Sequence, residues 1–429
     1  MSRTLRSGQL SSGLRLITER DPGTQTVAAG FFAARGGRHD RVPGAAHFLE
    51  HLMFKGSELL PAAELNERLD WLGGAHNAFT APEETVYYAA ALPEDLPALL
   101  DTLRELLRPA LREADLEAER GVILEEIALY ASQPSVRVLE AMQRQYWGAH
   151  PLDRPILGTA QSIGGVTRGE LLEQLHRTYT PECLLLVVTG ALDEEAVWAW
   201  AESSLAGWPQ DGAPEAAVLT QQPPTQPPIQ PQIQPSRRIE RLCWPGLERA
   251  QAALAWPGLA AGHPLRPAAE VLAEVLGSEN SRLYWALLDS GLADSADLGC
   301  LAYTDTGTFE GGFSCDPARL DEVLGRFLDV VQGAAAQPPT PGEVARAALR
   351  LATDASLGAD SPHERMLTLG LENLHPETLP PGRSIACPVT PEEVVARYRA
   401  VTPEAAAAVL DLCPLAEPSG ALLLPEALA

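Results

Sequence analysis

The 429-residue chain lacks any apolar run approaching the roughly 18 residues of a membrane-spanning helix, and it carries no secretory apolar core. A helical membrane protein is thereby excluded. Basic residues are also few: 32 Lys and Arg stand against 57 Asp and Glu, a formal net charge of -25 at pH 7. That charge repels nucleic-acid phosphates and anionic lipid surfaces, so neither nucleic acid nor membrane is an expected partner. Six cysteines are present (Cys183, Cys243, Cys300, Cys315, Cys387 and Cys413) without a single C-x-x-C pair. Cysteine metal ligands usually come as close pairs that fix two corners of a tetrahedron, so these read as reduced, buried small residues. No acid precedes Glu19, which would suit a targeting segment. Leu14, Leu16 and Thr18, however, alternate with Arg15 and Ile17 ahead of the turn-forming Asp21-Pro22-Gly23, the pattern of a first β-strand and its turn. A cytoplasmic protein is expected.

What is present describes a folded chain of more than one lobe. Hydrophobic residues make up 45% and charged residues 21%, an ordinary globular balance, and the length exceeds what one core sustains. Residues 213–236 read APEAAVLTQQPPTQPPIQPQIQPS, where repeated Pro and Gln favour an extended linker. The expected domains are 1–212, the linker 213–236, and 237–429. The two halves match at one place: Ala45-Ala46-His47-Phe48-Leu49-Glu50-His51 sits opposite Ala268-Ala269-Glu270-Val271-Leu272-Ala273-Glu274, and each run leads to a Gly-Ser pair. Only the first run has histidines. In the first half, patterning predicts strands near 13–19, 25–35, 77–92 and 184–190, with helices near 43–54, 62–72, 94–108 and 113–132. Strands grouped with long helices point to an α+β fold: two homologous lobes, each an antiparallel-rich sheet covered by helices.

The first lobe holds the chemistry. At about 100° per residue, His47, Glu50 and His51 fall within one arc of roughly 100° on a helix, while Phe48, Leu49, Leu52 and Met53 can anchor its remaining circumference. Two neutral imidazoles and a carboxylate suit zinc with a fourth position open to water, beside which Glu50 would stand. The carboxylate is sought on the helix over 113–132, where Glu119, Val122, Ile123, Glu126, Ile127 and Tyr130 share a face at helical spacing. Acids interrupting an apolar stripe require a cation or hydrogen bonds. Glu126 is thus the expected third ligand and Glu119 an outer group that orients a ligand or the water, or else a salt-bridge partner of an arginine. Glu125 points away. His76 lies near by sequence context, whereas His39, His150, His176, His263, His363 and His375 show no ligand spacing.

These stretches resemble the pitrilysin or insulinase family of metallopeptidases, which includes the mitochondrial processing peptidases, and especially its short members of one lobe pair. The resemblance runs through HFLEHLMFKGS (47–57), with its inverted H-x-x-E-H motif, GGAHNAFTAPEETVYYAAALPEDL (73–96), ERGVILEEI (119–127) and, more faintly, LGSENSRLY (276–284). It implies a zinc endopeptidase acting on peptides or unfolded segments, with His47, His51 and Glu126 as ligands, Glu50 as catalytic base and Glu119 as supporting acid. It also implies that Asn77, Ala78, Phe79 and Thr80 lie on an edge strand to which a peptide adds as a further strand; a plain core strand is the other reading of Phe79. Family members that act alone carry an Arg and a Tyr in the second lobe, yet Tyr303 to Asp316 has a Tyr and no Arg. The expectation is a heterodimer with a related, zinc-free subunit, or otherwise a homodimer. An inactive or regulatory binding subunit of the same fold is the alternative function.

Overall fold

The computed structural model describes residues 3–73, 76–208 and 235–426. All of the expected linker except Pro235 and Ser236 lies outside them. In chain order the first half contains β1 (Thr4–Gln9), β2 (Arg15–Arg20), β3 (Val27–Ala33), α1 (Ala45–Met53), α2 (Ala62–Trp71), β4 (His76–Thr80), β5 (Thr85–Ala91), α3 (Leu96–Leu106), α4 (Glu113–Ala131), α5 (Pro134–Trp147), α6 (Ala160–Gly165), α7 (Arg168–Thr178), β6 (Leu184–Gly190) and α8 (Glu194–Ser204). The second contains β7 (Ile239–Trp244), β8 (Ala250–Gly258), α9 (Arg266–Gly277), β9 (Ala293–Ala302), β10 (Gly307–Cys315), α10 (Leu320–Ala336), α11 (Pro341–Gly358), α12 (Pro362–Asn373), α13 (Pro391–Arg399), α14 (Pro403–Leu412) and β11 (Ser419–Pro425).

Two α+β units result, and their sheets share one topology. The first has the order β1-β2-β6-β3-β5-β4 and the second β7-β11-β8-β10-β9. In each, the closing strand (β6 or β11) lies parallel to the opening one (β2 or β7) and antiparallel to the next (β3 or β8), with a hairpin completing the edge. Setting β1 aside, the strand orders superimpose one for one. α1 follows β3 as α9 follows β8, so the weak repeat at 45–51 and 268–274 marks equivalent helices.

The units are not consecutive stretches of chain, in contrast to the expected division at 212 and 237. One comprises Met1–Ile127, Arg154–Pro231 and Leu357–Pro391; the other comprises Ala128–Asp153, Gln232–Ser356 and Glu392–Ala429. Every residue of β3 and β6 is buried, because these central strands are covered on both faces. Val27, Ala29, Phe31 and Ala33 join the large core with α1, α3 and α4. Their alternates Ala28 and Phe32, with Val86, Leu185 and Val187, pack instead on Met366 and Leu369 of α12. In the second unit Ala253, Ala255, Ala421 and Leu423 likewise pack on Val138, Ala141 and Met142 of α5. Each sheet therefore takes its second cover from the other half of the chain. Patterning along a sequence shows that a helix has an apolar face, not which sheet that face meets.

α12 is docked by close approach and by buried charge. A Cβ on Gly370 would lie 2.1 Å from the Phe32 ring, and one on Gly30 2.5 Å from Met366 Sδ. Arg365 binds Glu19 with both Nε and Nη2, the latter 2.6 Å from Oε2, the two side chains being only 3% and 4% exposed. Arg15 donates to the carbonyls of Asn373 and Leu374 at 2.9 and 2.7 Å.

Three further expectations are corrected. β1 is an addition to the expected strands; its mostly polar, half-buried residues give no apolar alternation to read. The strand expected over 77–92 is a hairpin, reversing where the Ala81 N–H meets the Glu84 carbonyl at 2.8 Å, next to Pro82, which cannot donate to a ladder. All six cysteines are free thiols, but only Cys315 and Cys413 are buried; Cys183 and Cys300 are half-buried, and Cys243 and Cys387 are exposed. Among the described residues no helix is long and apolar enough to cross a membrane.

Candidate metal centre

α1 is a core helix from its first turn. It starts after Gly44, whose φ of 89° is left-handed and whose Cβ would lie 2.7 Å from the Leu157 carbonyl oxygen, so glycine is required there. The Asp40 carboxylate accepts the Gly44 and Ala46 N–H groups at 3.1 Å each and is itself held by Gln174 Nε2 at 2.9 Å, which caps the helix. Ala45, Ala46, Phe48, Leu49, Leu52 and Met53 are buried. The helix cannot rotate without exposing them, which fixes the bearing of His47, Glu50 and His51.

α4 supplies the third group. Leu116, Glu119 and Ile123 are its buried residues, Glu126 follows with a side chain 28% exposed, and Glu125 is exposed. The expected stripe is narrower than foreseen, for Val122 and Tyr130 are 47% and 39% exposed.

His47 Nε2 lies 3.8 Å and His51 Nε2 3.7 Å from Glu126 Oε2, and the three ligand atoms fall within 4.8 Å of one another. Two bonds of roughly 2.1 Å to one ion, opened near the tetrahedral angle, place their donor atoms about 3.5 Å apart, so two nitrogens and a carboxylate oxygen here fit a zinc ion. Burial, reinforced by neighbouring His51, pushes His47 down to about 4, which leaves it neutral, the form that ligates. Among the described residues no other group of His, Cys, Asp or Glu converges in this way; His76, on β4, stands outside it.

Glu50 is aimed by Thr80, whose hydroxyl donates to Oε2 at 2.6 Å, and burial raises its carboxyl above the ordinary range against the lowering effect of that bond. His51 Nδ1 lies 3.0 Å from Glu119 Oε2. The other oxygen of Glu119 takes Lys55 Nζ at 2.6 Å; sequence patterning had offered an arginine. Lys55 and the Thr80 hydroxyl are the polar partners missed. Lys55 follows His51 by four residues, just past the end of α1, which was the available signal; Thr80 was expected on the edge strand but not as a partner of Glu50.

Asn77 is exposed, Ala78 is buried, and Phe79 and Thr80 are half-buried on β4, the terminal strand of its sheet. Asn77 Oδ1 accepts the Ala78 N–H at 2.9 Å. Phe79 packs against the cluster that includes Phe32 and Met366. In the second unit, Glu270 and Glu274 replace His47 and His51, and each is paired with an arginine, Arg266 at 2.8 Å and Arg350 at 3.1 Å. Tyr303 there packs edge-on against Trp147, ring centres 5.7 Å apart.

The family model described as insulinase (peptidase family M16) matches residues 15–160, and that described as peptidase M16 inactive domain matches residues 165–351. An uncharacterized zinc protease of Streptomyces coelicolor is 32% identical over 377 residues, covering 86% of this chain and 81% of that protein. The mitochondrial-processing peptidase subunit beta of Saccharomyces cerevisiae is 32% identical over 212 residues, 49% of this chain and 46% of the yeast subunit. Among solved structures, a putative M16-like peptidase from Alicyclobacillus acidocaldarius matches with a TM-score of 0.83 at 21% identity, covering 99% of each chain. A peptidase M16 inactive domain from Pseudomonas fluorescens matches with a TM-score of 0.84 at 16% identity, covering 98% of each; both speak for the fold. With both family models matched in tandem and an identity above 30% along most of its length, the chain belongs to the insulinase, or M16, peptidase family.

Proposed function

We propose that this chain is a zinc-dependent endopeptidase that hydrolyses peptides or unfolded segments, with His47, His51 and Glu126 holding the ion and Glu50 as general base. The observation that carries this reading is the convergence of two imidazoles and a carboxylate from α1 and α4, with Glu50 on the same arc of α1. A zinc ion held there would supply Lewis acidity toward the scissile carbonyl and lower the pKa of water toward about 7. Glu50, oriented by Thr80, takes the proton of the attacking water and delivers it to the leaving amine. Glu119 accepts from His51 Nδ1, so that Nε2 carries the lone pair that faces Glu126. β4, at the edge of its sheet, offers the backbone of Asn77 to Thr80 to an extended peptide, which selects unfolded segments.

Metal analysis with a quenched-peptide assay tests this reading. Stoichiometric zinc with cleavage that a chelator abolishes is expected; absence of zinc from protein purified without chelator would overturn it. The second reading, an inactive binding subunit, draws on the lack of an arginine between Tyr303 and Asp316. We reconcile the two by proposing a heterodimer whose zinc-free partner supplies that arginine and a tyrosine. Expressed alone, the chain then binds zinc but cleaves feebly, and a related zinc-free subunit raises turnover without additional metal. Full activity from a monomer or homodimer would remove the need for a partner.

A further inference from the structure

The chain contains 31 arginines and a single lysine, Lys55, and that lysine stands beside the candidate metal centre. We infer that Lys55 is a positioning residue for the centre: it pins one oxygen of Glu119 so that the other is presented to His51 Nδ1. The inference rests on the ligand assignment proposed above.

His51 lies in the last turn of α1, and Lys55 lies two residues beyond the helix in the turn that closes it. Glu119 spans that turn, with Oε2 3.0 Å from His51 Nδ1 and Oε1 2.6 Å from Lys55 Nζ. The Glu119 side chain is 8% exposed and that of Lys55 35%. A buried carboxylate bound at only one oxygen can turn about its last torsion, which is broad and two-fold. Bound at both, it has one orientation, and the His51 ring it accepts from has one as well.

The backbone holds Lys55 in place. Its N–H bonds to the Leu52 carbonyl at 3.1 Å, and Arg112 donates to the Lys55 and Ser57 carbonyls at 3.4 and 2.7 Å. Gly56 follows at φ 83°, where a Cβ would lie 2.3 Å from the Leu60 carbonyl oxygen, so the chain turns at once into a fixed loop. The ammonium is thus delivered by a closed turn rather than by a free tail.

Groups that orient ligands in this way change metal affinity by about 10- to 100-fold when removed. Lys55→Met in the full chain should weaken zinc retention about tenfold in chelator competition and lower kcat with KM little changed, since Lys55 acts through His51. Lys55→Arg keeps the charge and should recover most of the affinity. With one lysine, 13C-lysine labelling gives one side-chain Cε signal, which zinc should shift in the parent and not in a Glu126→Gln variant. Thermal unfolding of the zinc-free proteins checks that Lys55→Met is folded. Zinc affinity and kcat of Lys55→Met within twofold of the parent, while Glu119→Gln loses affinity, would overturn the inference, as would a change confined to KM. Were Glu126→Gln and His51→Ala to leave zinc binding intact, the ligand assignment itself would fail.

Discussion

Replacing Arg365 by Met breaks a charge pair that joins residues 346 positions apart, Glu19 on β2 and Arg365 on α12. Both side chains are almost wholly buried, 3% and 4% exposed, so the orphaned Glu19 carboxylate could not be rehydrated in place. Removing one member of such a pair costs about 3–5 kcal/mol, whereas replacing both by apolar residues of similar size is close to neutral. Arg365 also donates to the Ala359 carbonyl at 3.3 Å, which caps the approach to α12 and adds to the loss. Arg365→Met should therefore loosen α12 from its sheet, and Glu19→Leu/Arg365→Met should restore much of it, with a coupling energy of about 3 kcal/mol or more. Because two units need not unfold together, the assay should be local. Hydrogen exchange of peptides covering 362–373 and 184–190 should quicken a hundredfold or more in the single variant, since about 1.4 kcal/mol is tenfold. A double variant no better protected than Arg365→Met would refute the reasoning, because the cost would then lie in lost packing.

Glu50→Gln should retain zinc while turnover falls by several orders of magnitude, measured by elemental analysis beside a peptide assay; loss of the metal would assign Glu50 differently. Glu126→Gln should weaken zinc binding in equilibrium dialysis at least as strongly as an outer-group change, about 100-fold, whereas exposed Glu125→Gln should stay within about twofold. His39 is held neutral, pushed down to about 3 by burial and then by the charges of Arg35 and Arg38, and its Nδ1 accepts the Gly36 N–H at 3.2 Å. Its folded pKa lies below the unfolded value near 6.5, so its contribution is complete above that pH and is lost as pH falls through the window down to about 3. Between pH 6.5 and 5 the zinc-free parent should lose about 1–2 kcal/mol that His39→Asn does not, read from urea midpoints; parallel pH profiles would exclude His39.

The lobe with the candidate metal centre was legible because its chemistry is local. His47, Glu50 and His51 lie on one helix, and Glu119 and Glu126 on another, so a rotation of 100° per residue nominated groups that the structure brings together. Helix phase failed at the rim of α4, where Val122 and Tyr130 are exposed, because an interval of three or four residues cannot separate the buried part of a face from its edge. Ala81 to Glu84 form a turn between two strand-like runs, and its signals were Pro82 with the acids Glu83 and Glu84. Lys55 was not singled out, since its partner Glu119 is 64 positions away in sequence. The exchange of α5 and α12 was beyond reach, for nothing in either helix distinguishes a remote sheet from an adjacent one.

That exchange sets an order of events during synthesis. When β6 leaves the ribosome, the first sheet has all its strands, yet the face formed by Ala28, Phe32, Val86, Leu185 and Val187 has no cover. α12 emerges roughly 180 residues later, which at about 5–20 residues per second is a delay on the order of 10–40 s. The second sheet has the opposite history: α5 is already made and waits, with Val138 and Met142 unpartnered, for β8 and β11. Throughout that interval the first half presents two apolar surfaces, the sheet face and α5, whose partners lie in the second half. A chain ending before α12 would therefore hold the candidate metal-binding helices on a sheet whose second face is left without Met366 and Leu369.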